Sequence, residues 1–136
     1  MKELIIEADR KNLNQVLAFV DEQLKQVDCP KATQITIDVA VEELFVNIAS
    51  YAYDSESGIA VVQVTVHEEP LSVEITFIDN GKQYDPLAKA DPDTTLPLKE
   101  RKKGGLGIFM VKKTMDNVIY EYKDGKNILT IQKALS

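Results

Sequence analysis

The stretch VEELFVNIASYAY, residues 41–53, repeats its apolar positions at the spacing of a helix and not of a strand. Followed upstream, the same stripe runs through Ile37, Ala40, Val41, Leu44, Ile48 and Ala52, with Thr33 as the expected cap. A face that wide predicts a helix laid on a sheet, and strand-like runs flank it on both sides. Residues 3–8 form a short apolar run too brief for a helix, which is expected to start the sheet. Leu13, Val16, Leu17, Val20, Leu24 and Val27 predict an intervening helix, opened by a capping-box pattern at Asn12 and Gln15. That helix is expected to stop near Cys29-Pro30, because a residue before proline avoids the α region.

Beyond the central helix, residues 61–67 and 72–78 are β-branched runs separated by Glu68-Glu69-Pro70-Leu71, which reads as an antiparallel hairpin. Residues 84–104 show no period, and a connection of about twenty residues in a compact domain is usually functional or disordered. It is read as a lid. Residues 106–115 then predict a short helix after a glycine-rich turn, with Phe109 and Met110 facing the core. Residues 117–123 and 127–133 alternate around Asp124-Gly125, a hairpin signal with positive φ in the turn. The predicted order is β-α-α-β-β-lid-α-β-β. Strands that arrive as hairpins imply an α/β two-layer sandwich: a mixed, mostly antiparallel sheet of about five strands with three helices on one face.

Composition bounds the function. At 136 residues the chain is expected to be one domain, residues 1–136. Its net charge of −6 removes a general electrostatic argument for binding nucleic acid. Cys29 is the single cysteine and His67 the single histidine, which excludes an internal disulfide, a zinc site and a Ser-His-Asp triad. No apolar run reaches the roughly eighteen residues a membrane span needs, and residues 1–12 lack a signal-peptide pattern. The expectation is a cytoplasmic protein with no membrane contact.

Three groups of residues can carry chemistry. Glu43 and Asn47 lie four apart on the central helix and share a face; a carboxylate can act as a general base and an amide oxygen is a hard Mg²⁺ ligand. The plainer reading of the pair is a solvated helix face. Asp79-Asn80-Gly81 follows a strand directly, where a carboxylate can accept from an exocyclic amine and glycine admits close approach, although Asx-Gly is also an ordinary turn. Gly104-Gly105-Leu106-Gly107 opens a helix behind Lys99-Glu100-Arg101-Lys102-Lys103, so free helix N–H groups and local cations can meet an anion. The run matches neither a Walker A loop nor G-x-G-x-x-G.

In this order the three groups resemble the GHKL (Bergerat-fold) ATPases, and among them the small anti-sigma regulatory serine/threonine protein kinases. The resemblance covers about residues 12–133: E-x-x-x-N within residues 41–53, D-x-G then an aromatic and D-P in residues 79–86, and GGLGIFMVK in residues 104–112. It implies a cofactor set of ATP and Mg²⁺, with Glu43 as catalytic base, Asn47 holding Mg²⁺ and Asp79 reading the adenine amine. It further implies that Gly81 and the run Gly105, Leu106 and Gly107 follow the nucleotide, while Arg101, Lys102 or Lys103 reaches the phosphates. The implied substrate is a serine or threonine on a small anti-anti-sigma-type antagonist protein, with a sigma factor as second partner in a partner switch and homodimerisation common in the branch. Tyr51 stands where the branch often has histidine, and Arg101 lies farther from the glycines than its lid arginine usually does. A nucleotide-binding interaction module without phosphotransfer, or a simple ATPase, would use the same residues.

Overall fold

A computed structural model of the chain describes residues 1–53, 57–88 and 105–135. Five strands, β1 (Lys2–Glu7), β2 (Ile59–Glu68), β3 (Leu71–Asp79), β4 (Asn117–Lys123) and β5 (Lys126–Ala134), form one sheet in the order β1-β2-β3-β5-β4. Every pairing is antiparallel, and three of the four join strands that are consecutive in the chain, linked as hairpins or folded back over the first two helices. The helices α1 (Leu13–Lys25), α2 (Lys31–Tyr51) and α3 (Gly105–Thr114) pack together, α2 between the other two.

Strand alternation decides which face they cover. Along β3 the buried positions are Val73, Ile75, Phe77 and Asp79, and the register sets them beside Val62 and Val64 of β2 and Leu129 and Ile131 of β5. Against this face α2 lays Ile37, Ala40, Val41, Leu44 and Phe45, α1 adds Val16, Val20 and Leu24, and α3 adds Ile108 and Val111. The outer face carries side chains such as Thr76 and Thr130, whose hydroxyls meet at 3.0 Å.

Several local expectations need correction. The first helix ends at Lys25, four residues before Cys29, and Asp28 takes a φ of 53° in the turn that follows. The central helix starts at Lys31 with Pro30 in the cap position, so Thr33 lies inside it: proline's fixed φ suits a helix entrance. Asn12 makes no capping bond, because its Nδ2 donates instead to the Glu7 carbonyl at 3.0 Å. Met110 is exposed rather than core-facing, since Ile108, Val111 and Met115 already take the inward positions. The closing hairpin turns through Asp124 and Gly125 at φ 54° and 76°, the left-handed pair its sequence requires.

Candidate functional site

Three elements converge at one end of the sheet. α2 brings Glu43 and Asn47, one turn apart and half-buried. β3 brings Asp79: the alternation that buries Phe77 carries the next inward position to a carboxylate, only 6% exposed. α3 brings its amino-terminal turn, where Gly107 lies against the Glu43 carboxylate so closely that a Cβ there would overlap it. Gly107 is therefore the residue that lets α3 approach α2 at Glu43.

Between α2 and the strand ends lies a narrow, mostly apolar pocket. Asn47, Tyr51, Asp79, Tyr84, Tyr120 and Asn127 are among the residues that line it. The Tyr51 and Tyr84 rings stand 6.1 Å apart at 38°. Next to it, a shallow groove runs past Val39, Glu43, Val46, Gly107 and Met110. Asn47 thus faces the pocket and Glu43 the groove, one helical turn apart.

The electrostatics follow from burial. Desolvation pushes the Asp79 carboxyl above the usual carboxylate range, opposed by hydrogen bonds from Asn127 and the Gly81 backbone. Both bonds, each 2.9 Å, fall on Oδ1. Among the described residues no donor meets Oδ2, which is left to accept from a ligand. Desolvation also raises the Glu43 carboxyl, and the neighbouring Glu42 charge adds to it.

Gly81 has a second task. A Cβ there would overlap the Ala52 carbonyl at the end of α2, and the Lys82 amide donates to that same oxygen at 3.0 Å. The turn after β3 is thereby pinned on α2. Tyr53 pins it again, its hydroxyl accepting from the Asn80 amide at 2.8 Å and donating to the Ile59 carbonyl at 2.7 Å. Gly105 lies in the first turn of α3. Arg101, Lys102 and Lys103, the side chain of Leu106 and most of the expected lid lie outside the described residues.

Asn127 escapes the sequence reading, as do Tyr53 and Tyr120. A signal for Asn127 was present: in N-I-L-T-I, residues 127–131, it holds the inward position of a strand whose next inward residues are Leu129 and Ile131. An amide in place of a core residue, beside the strand that ends in Asp79, marks a buried polar site.

A helix-borne acid and amide, a buried strand-end carboxylate and a glycine-led helix on an antiparallel sheet define a two-layer sandwich with a ligand pocket at the sheet's end. The sequence profile of the histidine kinase-like ATPase domain matches residues 6–133, and the chain belongs to that family. It is similar to the serine/threonine-protein kinase BtrW of Bordetella bronchiseptica, 28% identical over 98 residues that cover 72% of this chain and 68% of the relative. It is also similar to the serine-protein kinase RsbW of Halalkalibacterium halodurans, 30% identical over 97 residues covering 68% of this chain and 57% of that protein. The chain thus spans about half to two thirds of the length of these relatives. The structure of the RsbU and RsbW domains of a Mycobacterium tuberculosis protein superposes over 99% of this chain and 33% of that one, with a TM-score of 0.66 at 15% identity. That likeness is one of fold.

Proposed function

We propose that the chain is an ATP-dependent protein serine/threonine kinase of the anti-sigma type, acting in the cytoplasm. Its acceptor is a serine or threonine on a small anti-anti-sigma-type antagonist protein, and a sigma factor is its second partner. The observation that carries this reading is the pairing of Glu43 with Gly107 at the start of α3, one helical turn from the Asn47 and Asp79 pocket. The lining suits an adenine: an apolar slot lined by tyrosines, with a carboxylate that has one oxygen open for an amine donor. The phosphates then extend toward the α3 amino terminus, where the N–H groups and dipole of a helix start favour an anion.

On this reading Glu43 accepts the proton of the acceptor hydroxyl as its oxygen bonds to the γ-phosphorus and the bond to the β-bridging oxygen breaks, leaving ADP. Asn47 would hold Mg²⁺, which supplies charge neutralisation at the phosphates when bound. Gly105 and Leu106 would contribute backbone N–H groups, and Arg101 or Lys103 a cation. The outer face of the sheet supports a homodimer. Ile5, Val61, Ile78 and Ile128 stand in register across four strands, and Ile5, Ile59 and Ile119 are 63%, 48% and 52% exposed.

Calorimetry with ATP and ADP, with and without Mg²⁺, combined with transfer of labelled phosphate to an antagonist domain, tests the proposal. Asp79→Asn is expected to abolish saturable nucleotide binding. Glu43→Gln is expected to keep it and to lose transfer by about 10²–10⁴-fold. Transfer that survives in Glu43→Gln refutes the base assignment, and binding without transfer in the wild type reassigns the chain as a nucleotide-gated interaction module.

A further inference from the structure

A carboxamide has two N–H donors and a carbonyl oxygen with two acceptor positions. In Asn127 all four are spent inside the protein. Nδ2 donates to Asp79 Oδ1 at 2.9 Å and to the Lys82 carbonyl at 2.9 Å, while Oδ1 accepts from the Tyr84 amide at 3.1 Å and the Tyr120 hydroxyl at 2.5 Å. The residue is 6% exposed and its backbone stands in register with Asp79. A side chain so committed has nothing left for a ligand, although it lines the pocket.

We propose that Asn127 is the positioning residue that sets purine selectivity: it orients the Asp79 carboxylate so that Oδ2 alone faces the pocket, and fixes Tyr84 in the pocket wall. The inference deepens the nucleotide-binding reading and rests on it. With Oδ1 occupied by Asn127 and the Gly81 amide, the carboxylate cannot rotate without breaking two hydrogen bonds. Oδ2 of an anion accepts and does not donate, so a 6-amino purine is matched and a 6-oxo purine presents oxygen to oxygen. Buried polar mismatches of that kind discriminate strongly. Asn127 also favours the anion, since the hydrogen bond it donates opposes, more than any other contact, the desolvation that raises the Asp79 carboxyl. Tyr120 completes the arrangement by holding the amide from behind.

The test is calorimetric titration of the full chain with ADP and with inosine diphosphate, across pH, for the wild type, Asn127→Ala and Tyr120→Phe. The wild type is expected to prefer ADP by about 10–100-fold, with affinity for ADP falling as pH falls through the Asp79 titration. In Asn127→Ala the preference is expected to shrink to about threefold or less, inosine diphosphate binding to change by less than about threefold, and the acid-side loss of ADP binding to move to higher pH. Tyr120→Phe, which opens no comparable cavity, should shift the preference the same way by a smaller factor and decides the matter if Asn127→Ala does not fold. Equal weakening of both nucleotides with an unmoved pH profile would mean a structural role only and overturn the proposal. A wild type that binds both nucleotides equally overturns it while leaving nucleotide binding intact; a wild type that binds neither overturns the underlying reading as well.

Discussion

Alanine at Gly81 and at Gly107 should have opposite consequences, although both new Cβ atoms would overlap a neighbour. At Gly81 the neighbour is backbone: the Cβ would overlap the Ala52 carbonyl oxygen and stand 2.6 Å from its carbonyl carbon and its Cβ. Ordinary contact needs nearly an ångström more, so the turn must lift off α2 and the hydrogen bond from the Lys82 amide to Ala52 must lengthen or break. Overpacking costs about 1–3 kcal/mol and the lost bond about 1 kcal/mol, a total of about 2–4 kcal/mol. In a chain of this size that lowers Tm by roughly 10 °C. At Gly107 the neighbour is the Glu43 carboxylate, the free end of a flexible side chain. It can swing away, and alanine's better helix propensity returns up to about 1 kcal/mol. Gly107→Ala should therefore stay within about 1 kcal/mol of wild type while transfer falls by about 10²-fold or more, because Glu43 is displaced. Urea denaturation of both variants and single-turnover phosphoryl transfer measure the two effects. A Gly81→Ala protein as stable as wild type, or a Gly107→Ala protein with undiminished transfer, would refute the steric argument.

Asp38 on α2 and Asp21 on α1 each bury an oxygen that no described donor meets, and desolvation, followed by the hydrogen bond and charge of Asp21, pushes the Asp38 carboxyl up to about 7. Its folded-state value is raised, so the proton it holds stabilises the fold at acid pH and that stability is lost as pH climbs from about 4 through about 7. A titration near 7 against 3.8 in the unfolded chain sets a ceiling of about 4 kcal/mol, which solvent screening of this partly exposed pair reduces to about 1–2 kcal/mol. Asp38→Asn should gain that amount at pH 8 and little at pH 4, in urea denaturation at the two pH values; an equal effect at both would sink the account of an Asp38 carboxyl whose folded-state titration is raised. Tyr53→Phe removes the partner of both the Asn80 amide and the Ile59 carbonyl, and should cost about 1–2 kcal/mol with weaker ADP binding by calorimetry. Unchanged affinity would show that the turn after Asp79 is held without it.

The elements themselves were legible because their signals are local. The helical stripe from Ile37 to Ala52, the alternation on either side of Asp124-Gly125 and the polar tip after residue 78 each depend on neighbours within a few positions. So do the residue types of the candidate site: Glu43 and Asn47 one turn apart, Asp79 and Gly81 behind a strand, Gly107 at a helix start. The helix boundaries around Cys29 were less legible, because a proline that forbids helix at the residue before it is equally compatible with a first helix ending at Lys25 and a second one opening at Lys31.

What no stretch of the chain contains is the distance between stretches. Glu43 and Gly107 are 64 positions apart, Asp79 and Asn127 48 apart, and only the packing of α2 on α3 and the register of β3 with β5 make neighbours of them. Asn127 shows the division most clearly. Its sequence neighbourhood says turn and strand; its role comes from four partners drawn from β3, β4 and the segment after Asp79, none of which it meets until the sheet has closed. Periodicity and turn chemistry are written in single residues and their near neighbours, so the sequence carried the elements and their chemical types. Burial, the direction in which a carboxylate titrates and the oxygen it leaves open arise from surfaces brought together across the chain, and those belong to the tertiary structure alone.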